Sequence, residues 1–247
     1  LARYFHCVHL NNIHKLSILI FPGILFTIPV VLILKQPNLG TAAVISLMSI
    51  GMFFAAGISV KKFILAGVVG AAGLPVAWHY MHDYQKQRVM TFLDPESDPL
   101  GSGYNIIQSK IAVGSGGFFG KGFLNGSQSQ LSFLPEKETD FIFTMFTEEF
   151  GFVGSVILLL LFAALILMAV RFALQCNSHF GKLVILGVTI MIFLHIFINM
   201  AMTMGMIPVV GVPLSFLSYG GSNLLASLMG VGLVLNAQVH DKIRVDR

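Results

Sequence analysis

Between Phe150 and Val170 the chain carries no ionisable residue, and Val156–Val170 reads VILLLLFAALILMAV without one polar side chain. About 20 apolar residues is the length that crosses the hydrocarbon core of a bilayer as a helix. Inside that core every backbone N–H and C=O must be satisfied by the protein itself, so an apolar run of this length is read as a spanning helix. The composition agrees. The chain is 55% hydrophobic and only 11% charged, whereas soluble domains carry roughly 25% charged residues. An all-α integral membrane protein is therefore expected.

Six spans are predicted, at Leu16–Leu34, Thr41–Val60, Phe63–Tyr80, Phe150–Val170, Leu183–Ile207 and Pro213–Gln238. Apart from the clean run Val156–Val170, the spans carry Gly, Ser, Thr or Pro, which membrane helices use for close packing. Gly67, Gly70 and Gly73, at three-residue spacing, predict a helix–helix contact, and Pro29 and Pro75 are candidate kinks. With six spans both ends of the chain lie on one side. The segments on that side hold nine Lys and Arg (Arg3, Lys15, Lys61, Lys62, Arg171, Lys182, Lys242, Arg244 and Arg247), and the short loops opposite hold Lys35 alone. Basic residues concentrate in cytoplasmic loops, so the termini are expected to be cytoplasmic and the long segment after the third span external. Cys7 and Cys176 then face a reducing compartment and are expected to be thiols.

Nine of the eleven carboxylates fall between Asp83 and Glu149. Each charge at the centre of a spanning helix costs roughly 2.5–3.5 kcal/mol, so nine would cost more than about 20 kcal/mol. The window, an external loop of about 81–140, must lie largely outside the bilayer. Its aromatic and aliphatic content argues against a plain linker. Tyr104–Val113 has apolar positions at helical spacing, which predicts an amphipathic helix on the outer membrane surface. GSGGFFGKG (Gly114–Gly122) departs from the phosphate-loop pattern at both ends, with Ser115 where the first Gly belongs and Gly122 where Ser or Thr belongs, so no nucleotide is expected. Asp94, Glu96 and Asp98 alternate like a calcium loop without its glycine and read as ordinary turn chemistry. The net charge of +4 is small and unclustered, which gives no basis for nucleic-acid binding.

The segments MHDYQKQRV, FLDPESDPLGSGYNIIQSKIAVGSGGFFGKG, SQLSFLPEKETDFIF, EEFGFVG and IPVVGVPLSFLSYGGSNLL follow one another in order. Together they resemble the RodA/FtsW (SEDS) family of cell-wall polymerases, and the HDYQ and KIAVGSGG segments resemble its RodA branch. The resemblance implies a bundle of ten membrane helices with a large external loop after the seventh. The six spans here would be the last six and the chain, opening at Leu1, the C-terminal part of a longer protein, inactive as an isolated piece. It implies polymerisation of lipid II at the outer face of the bacterial cytoplasmic membrane during cell elongation, with undecaprenyl pyrophosphate leaving. It also implies a class B penicillin-binding protein as partner.

Asp140 matches the aspartate of the family's TDFIF element, which implies a catalytic base. On the residues alone it sits where loop meets helix. There a carboxylate either caps the helix or, partly desolvated, gains basicity. Glu136 belongs to the family's LPE element and reads as a substrate contact or a solvated loop charge, and Glu138 reads the same way. A divalent cation (Mg or Mn) could bridge such carboxylates and pyrophosphate oxygens, with its ligands unknown. Ser132 departs from the acid that is frequent at that position in the family. Lys110 and Arg88 are the expected phosphate contacts, against snorkelling or pairing with Asp94 or Asp98. Glu149 is a further candidate at the site, while Glu148 beside it has no assigned role. His195, Asn199 and Thr203 share one helix face and are expected to hydrogen-bond across helices or line a cavity. Two other functions share these features: a flippase for the lipid-linked precursor, and a non-catalytic scaffold for a penicillin-binding protein. The spans lack the central acids and bases that ion-coupled transporters use, which favours the enzyme.

Overall fold

A computed structural model describes residues 1–8, 16–36, 38–81, 83–98, 101–130, 134 and 136–240. The described residues form ten α-helices and one 3₁₀ turn: α1 (Ala2–Cys7), α2 (Leu16–Lys35), α3 (Leu39–Ala55), α4 (Val60–Tyr80), α5 (Asp83–Leu93), the turn Pro95–Ser97, α6 (Ser102–Ser115), α7 (Ser127–Gln130), α8 (Ile142–Gln175), α9 (His179–Thr203) and α10 (Gly221–Val239). A helix stands at each of the six predicted spans. Four, Ser17–Lys35 and the whole of α8, α9 and α10, are long and apolar enough to cross a membrane. The last begins at Gly221 and not at Pro213, because Pro213–Gly220 turns back on itself with Phe216 and Gly220 at positive φ. Ser132, Lys15, Lys242, Arg244 and Arg247 lie outside the described residues.

The chain divides into two compact units, the first made of Leu1–His82, Met168–Leu194 and Gly230–Arg247, and the second of Asp83–Leu167 and His195–Met229. In the first unit, Phe5 of α1 is fully buried against Met52, Ala56, Ile58 and Leu183. Tyr4 donates its hydroxyl to the Ile18 carbonyl at 2.7 Å. Asn38 caps α3 by accepting the Thr41 N–H at 3.2 Å. Ser46 and Ser49 return their hydroxyls to carbonyls four residues back at 2.8 Å, which keeps these polar groups satisfied within an apolar helix. Gly51 meets Ile190 and Gly187 meets Met52, so small residues bring α3 and α9 together. Gly67, Gly70 and Gly73 do otherwise. A side chain added at any of them would meet nothing within 4 Å, so the contact expected from their spacing is not made among the described residues. The apolar side chains Ile20, Ile24, Ile28 and Leu32 of α2 stand exposed at four-residue spacing, a stripe suited to lipid rather than water.

In the second unit α6 stands where an amphipathic helix was expected. Gly103, Ile106, Ser109 and Ala112 are buried on one side of it, so that side packs on protein. Its polar member is satisfied: Ser109 shares a hydrogen bond with Thr144 at 2.6 Å and donates to the Thr203 carbonyl at 2.6 Å.

α8 holds the second unit's main departure from regular helix. Gly151 has φ 66° and ψ −163°, which breaks the helix after Phe150. The break leaves backbone groups without helical partners, and the glycine-rich turn after α6 takes them. Phe152 and Val153 N–H donate to the Gly117 and Phe118 carbonyls at 2.9 and 3.1 Å, and Lys121 and Gly122 N–H donate to the Glu148 and Glu149 carbonyls at 3.0 Å. The approach is so close that a Cβ at Gly116, Gly120 or Gly151 would overlap the opposing backbone. Past the break, residues 152–175 extend about 36 Å at helical rise, more than the roughly 30 Å of a hydrocarbon core. The stretch Ile142–Phe150 is therefore not needed for crossing, in agreement with a span that starts at Phe150.

Candidate functional site

Asp140 ends a tight turn that begins at Glu136. Glu136 adopts φ 55°, and its carbonyl accepts the N–H groups of Thr139, Asp140 and Phe141 at 3.1–3.2 Å. The carbonyls of Glu138, Thr139 and Asp140 are each held from a different direction. Tyr219 N–H donates to the Glu138 carbonyl at 2.8 Å. Ser218 Oγ donates to the Thr139 carbonyl at 2.6 Å while accepting Leu214 N–H at 2.7 Å. Asn199 Nδ2 donates to the Asp140 carbonyl at 2.9 Å and to the Val212 carbonyl at 2.8 Å. The Ser-Tyr-Gly-Gly-Ser segment and α9 together fix the backbone on which the carboxylate rides.

The carboxylate itself is left open. Among the described residues nothing hydrogen-bonds to the Asp140 side chain, and Gly211, at φ 69°, presents bare backbone beside its Oδ2. Helix capping is not what Thr139 does either, since its hydroxyl donates back to Glu136 Oε2 at 2.9 Å. Burial raises the Asp140 carboxyl above the ordinary aspartate value, the neighbouring Glu136 charge raises it further, and Arg88 opposes both. Arg88 is half-buried and anchored by an Nη1 hydrogen bond to the Val209 carbonyl at 3.3 Å. Asp140, Glu136 and Arg88 thus form one electrostatic group.

Lys110 and Glu149 are placed elsewhere. The Lys110 stem lies across Gly205, whose positive φ and missing Cβ make room for it. Glu149 faces a cavity of about 510 Å³ with Lys137 and Glu138, against apolar neighbours from α8 and from Phe123 and Leu124. Sequence reasoning gave Glu148 no role, yet Glu148 is the sealed residue of the two. It is fully buried, with Oε1 receiving Lys121 Nζ at 2.7 Å, Ser127 Oγ at 3.2 Å and Gln128 N–H at 3.0 Å. The expense of an acid in an apolar stretch was the available signal, because it demands a partner. A cage of three or more His, Cys, Asp or Glu does not occur among the described residues.

Comparison with known proteins gives the arrangement its context. The FtsW/RodA/SpoVE family model, described as a cell cycle protein, matches residues 1–243. The peptidoglycan glycosyltransferase MrdB of Escherichia coli (strain K12) is 48% identical over 221 residues, covering 89% of this chain and 60% of that protein. Stage V sporulation protein E of Bacillus subtilis (strain 168) is 42% identical over 220 residues, covering 89% and 59%. The chain thus spans about 60% of the length of these curated relatives. Among solved structures, a chain of a peptidoglycan synthase complex that coordinates polymerization and crosslinking superposes with a TM-score of 0.81 at 33% identity, covering 98% of this chain and 67% of that one. A mutant of the Thermus thermophilus rod shape determining protein RodA gives 0.64 at 25% identity, covering 98% and 63%. These relatives and the apolar helices describe a multi-pass bacterial membrane protein. With all but its last four residues inside the family match, the chain belongs to the FtsW/RodA/SpoVE family of cell cycle proteins.

Proposed function

We propose that this chain is the C-terminal part of a peptidoglycan glycosyltransferase of the elongation type, with Asp140 as its general base. The observation that carries the reading is the contrast at Asp140: a rigidly held backbone and a partly buried carboxylate that nothing among the described residues occupies. A base that must collect a proton gains from both features, and a positioned base contributes typically 10²–10⁴-fold.

In the proposed reaction an acceptor sugar hydroxyl attacks the anomeric carbon of a lipid-linked donor. The new C–O bond forms as the bond to undecaprenyl pyrophosphate breaks, the pyrophosphate takes the electron pair, and Asp140 receives the hydroxyl proton. Arg88 offers positive charge to the leaving group. Glu136 tunes Asp140 and would offer its own carboxylate to a divalent cation, which would supply charge neutralisation for the pyrophosphate. The expected placement has both termini cytoplasmic and the Asp83–Asp140 region outside, where lipid II is presented. The expected partner is a class B penicillin-binding protein, which would crosslink the strands.

The test is reconstitution of the full-length protein with that partner on purified lipid II. Asp140→Asn should lose glycan polymer by at least 10²-fold while remaining folded and inserted. Normal polymer from Asp140→Asn would end the assignment. Unchanged cell-wall support in cells by Asp140→Ala would favour the scaffold, and lipid II translocation without polymer would favour the flippase.

A further inference from the structure

We propose that the cavity of about 510 Å³ next to the Glu136–Asp140 turn is a saccharide subsite that holds sugar rings of the glycan strand. This rests on the glycosyltransferase reading above.

The wall of the cavity is an aromatic series. Phe146 and Phe150 stack at 4.8 Å between ring centroids, and Phe123 continues the row at 6.4 Å from Phe150. These rings are not spent on a core, since Phe123 is 69% exposed and Phe150 40%. Open aromatic faces suit the C–H face of a pyranose ring, whose apolar side packs on a π-system while its rim stays polar. The rim here is polar as well, with Lys137, Glu138 and Glu149 facing the same space. Carboxylates accept sugar hydroxyls.

The charges exclude the other parts of a lipid-linked substrate. One Lys against two Glu leaves the rim net negative, which repels a pyrophosphate. An isoprenoid tail would desolvate three charged groups without replacing their hydrogen bonds. A volume of about 510 Å³ falls within the usual range of small-ligand pockets.

Backbone strain marks the same place. Three non-glycine residues among those described have positive φ: Leu124 at 60°, Glu136 at 55° and Phe216 at 67°. Leu124 lines the cavity, and the other two immediately precede its lining residues Lys137 and Leu217. Such conformations are strained and persist where surrounding structure over-determines them, typically at ligand sites. The Lys121–Glu148 ion pair fixes the segment that carries Phe123 and Leu124.

The experiment uses the full-length protein in detergent and a soluble, lipid-free oligosaccharide of alternating N-acetylglucosamine and N-acetylmuramic acid. Saturation-transfer NMR and calorimetry give its Kd. Phe123→Ala and Glu149→Gln should each weaken binding at least tenfold, and Phe123→Trp, which keeps an aromatic face, should retain it. The exposed position of Phe123 keeps the fold independent of these changes. Saccharide binding that is absent in the unmodified protein, or equal in Phe123→Ala and the unmodified protein, overturns the subsite. Loss of binding in Phe123→Trp as severe as in Phe123→Ala overturns the aromatic role. If polymerisation still depends on Asp140 in those cases, only the subsite falls. If saccharide binds as described but Asp140→Asn polymerises normally, the subsite stands and the assignment of the base falls.

Discussion

Asn199, fully buried on α9, donates one amide nitrogen to two carbonyls, those of Asp140 at 2.9 Å and Val212 at 2.8 Å. It ties the proposed base to the loop that carries Gly211, the residue beside its carboxylate. Removing the amide leaves two buried carbonyls short of a donor, at about 1–3 kcal/mol each. Asn199→Ala should therefore lower the melting temperature and cut polymerisation at least tenfold. Ser218→Ala, which releases the Thr139 carbonyl and Leu214 N–H together, should act in the same direction. Thermal denaturation and lipid II turnover of the full-length variants measure both effects.

The pH dependence of activity should carry the signature of Asp140. Its carboxyl titrates above the ordinary range, raised by burial and then by Glu136, and lowered by Arg88. A base is useless when protonated, so activity should fall as pH drops through that raised value. Glu136→Gln removes a raising charge and should shift the acid limb to lower pH. Arg88→Met removes a lowering charge and should shift it to higher pH. Opposite shifts of one limb in two variants are hard to obtain from misfolding, and initial rates from pH 4 to pH 8 would record them.

The same raised value makes Asp140 a liability for stability. Folding favours its protonated form, so its contribution is fully present below the unfolded-state value and is lost as pH rises through the folded one. Above that raised value the carboxylate is ionised in a desolvated place. Asp140→Asn should accordingly be more heat-stable than the unmodified protein at pH 7, with the difference vanishing in acid. A stabilised but inactive variant is the expected combination.

Gly151 and Gly67 offer a matched pair. A methyl at Gly151 meets opposing backbone at a positive φ, whereas one at Gly67 meets open space. Gly151→Ala should cost more than about 2 kcal/mol or prevent insertion. Gly67→Ala should be neutral or stabilising by up to about 1 kcal/mol, the helix-propensity gain. Expression level and melting temperature distinguish them.

The Lys121–Glu148 pair should be strongly coupled. Glu148 is fully buried while Lys121 is partly exposed, so removing the lysine leaves a desolvated carboxylate without its counter-charge. Lys121→Met should therefore destabilise more than the double variant Lys121→Met with Glu148→Gln. A thermal double-mutant cycle reads the difference directly.

Much of this was legible in the sequence, for reasons that differ by residue. Uninterrupted apolar length located the helices, because a bilayer imposes one length on every span. Asp140 stood out as an acid at a loop–helix boundary followed by Phe-Ile-Phe. The choice between Glu148 and Glu149 was not legible. Adjacent helical residues point about 100° apart, and which of them turns inward depends on how α8 is cut at Gly151 and paired with Gly117–Gly122. The three-residue spacing of Gly67, Gly70 and Gly73 looked like a packing face, but small size permits an approach without producing one. Asn199 was read as bonding across helices, and only the fold reveals that its acceptors are the carbonyls of Asp140 and Val212. Tyr104–Val113 showed an apolar face, and periodicity does not say whether lipid or protein covers it.

The interruption of α8 at Gly151 has a consequence for how such chains diverge. Two stretches distant in sequence, 116–122 and 148–153, serve as each other's template through their main chains. Substitutions that reshape one are tolerable only alongside compensating change in the other. A chimera that imports either stretch alone from a distant relative should fail to insert, while one that imports both should assemble, so the two are inherited as a single unit.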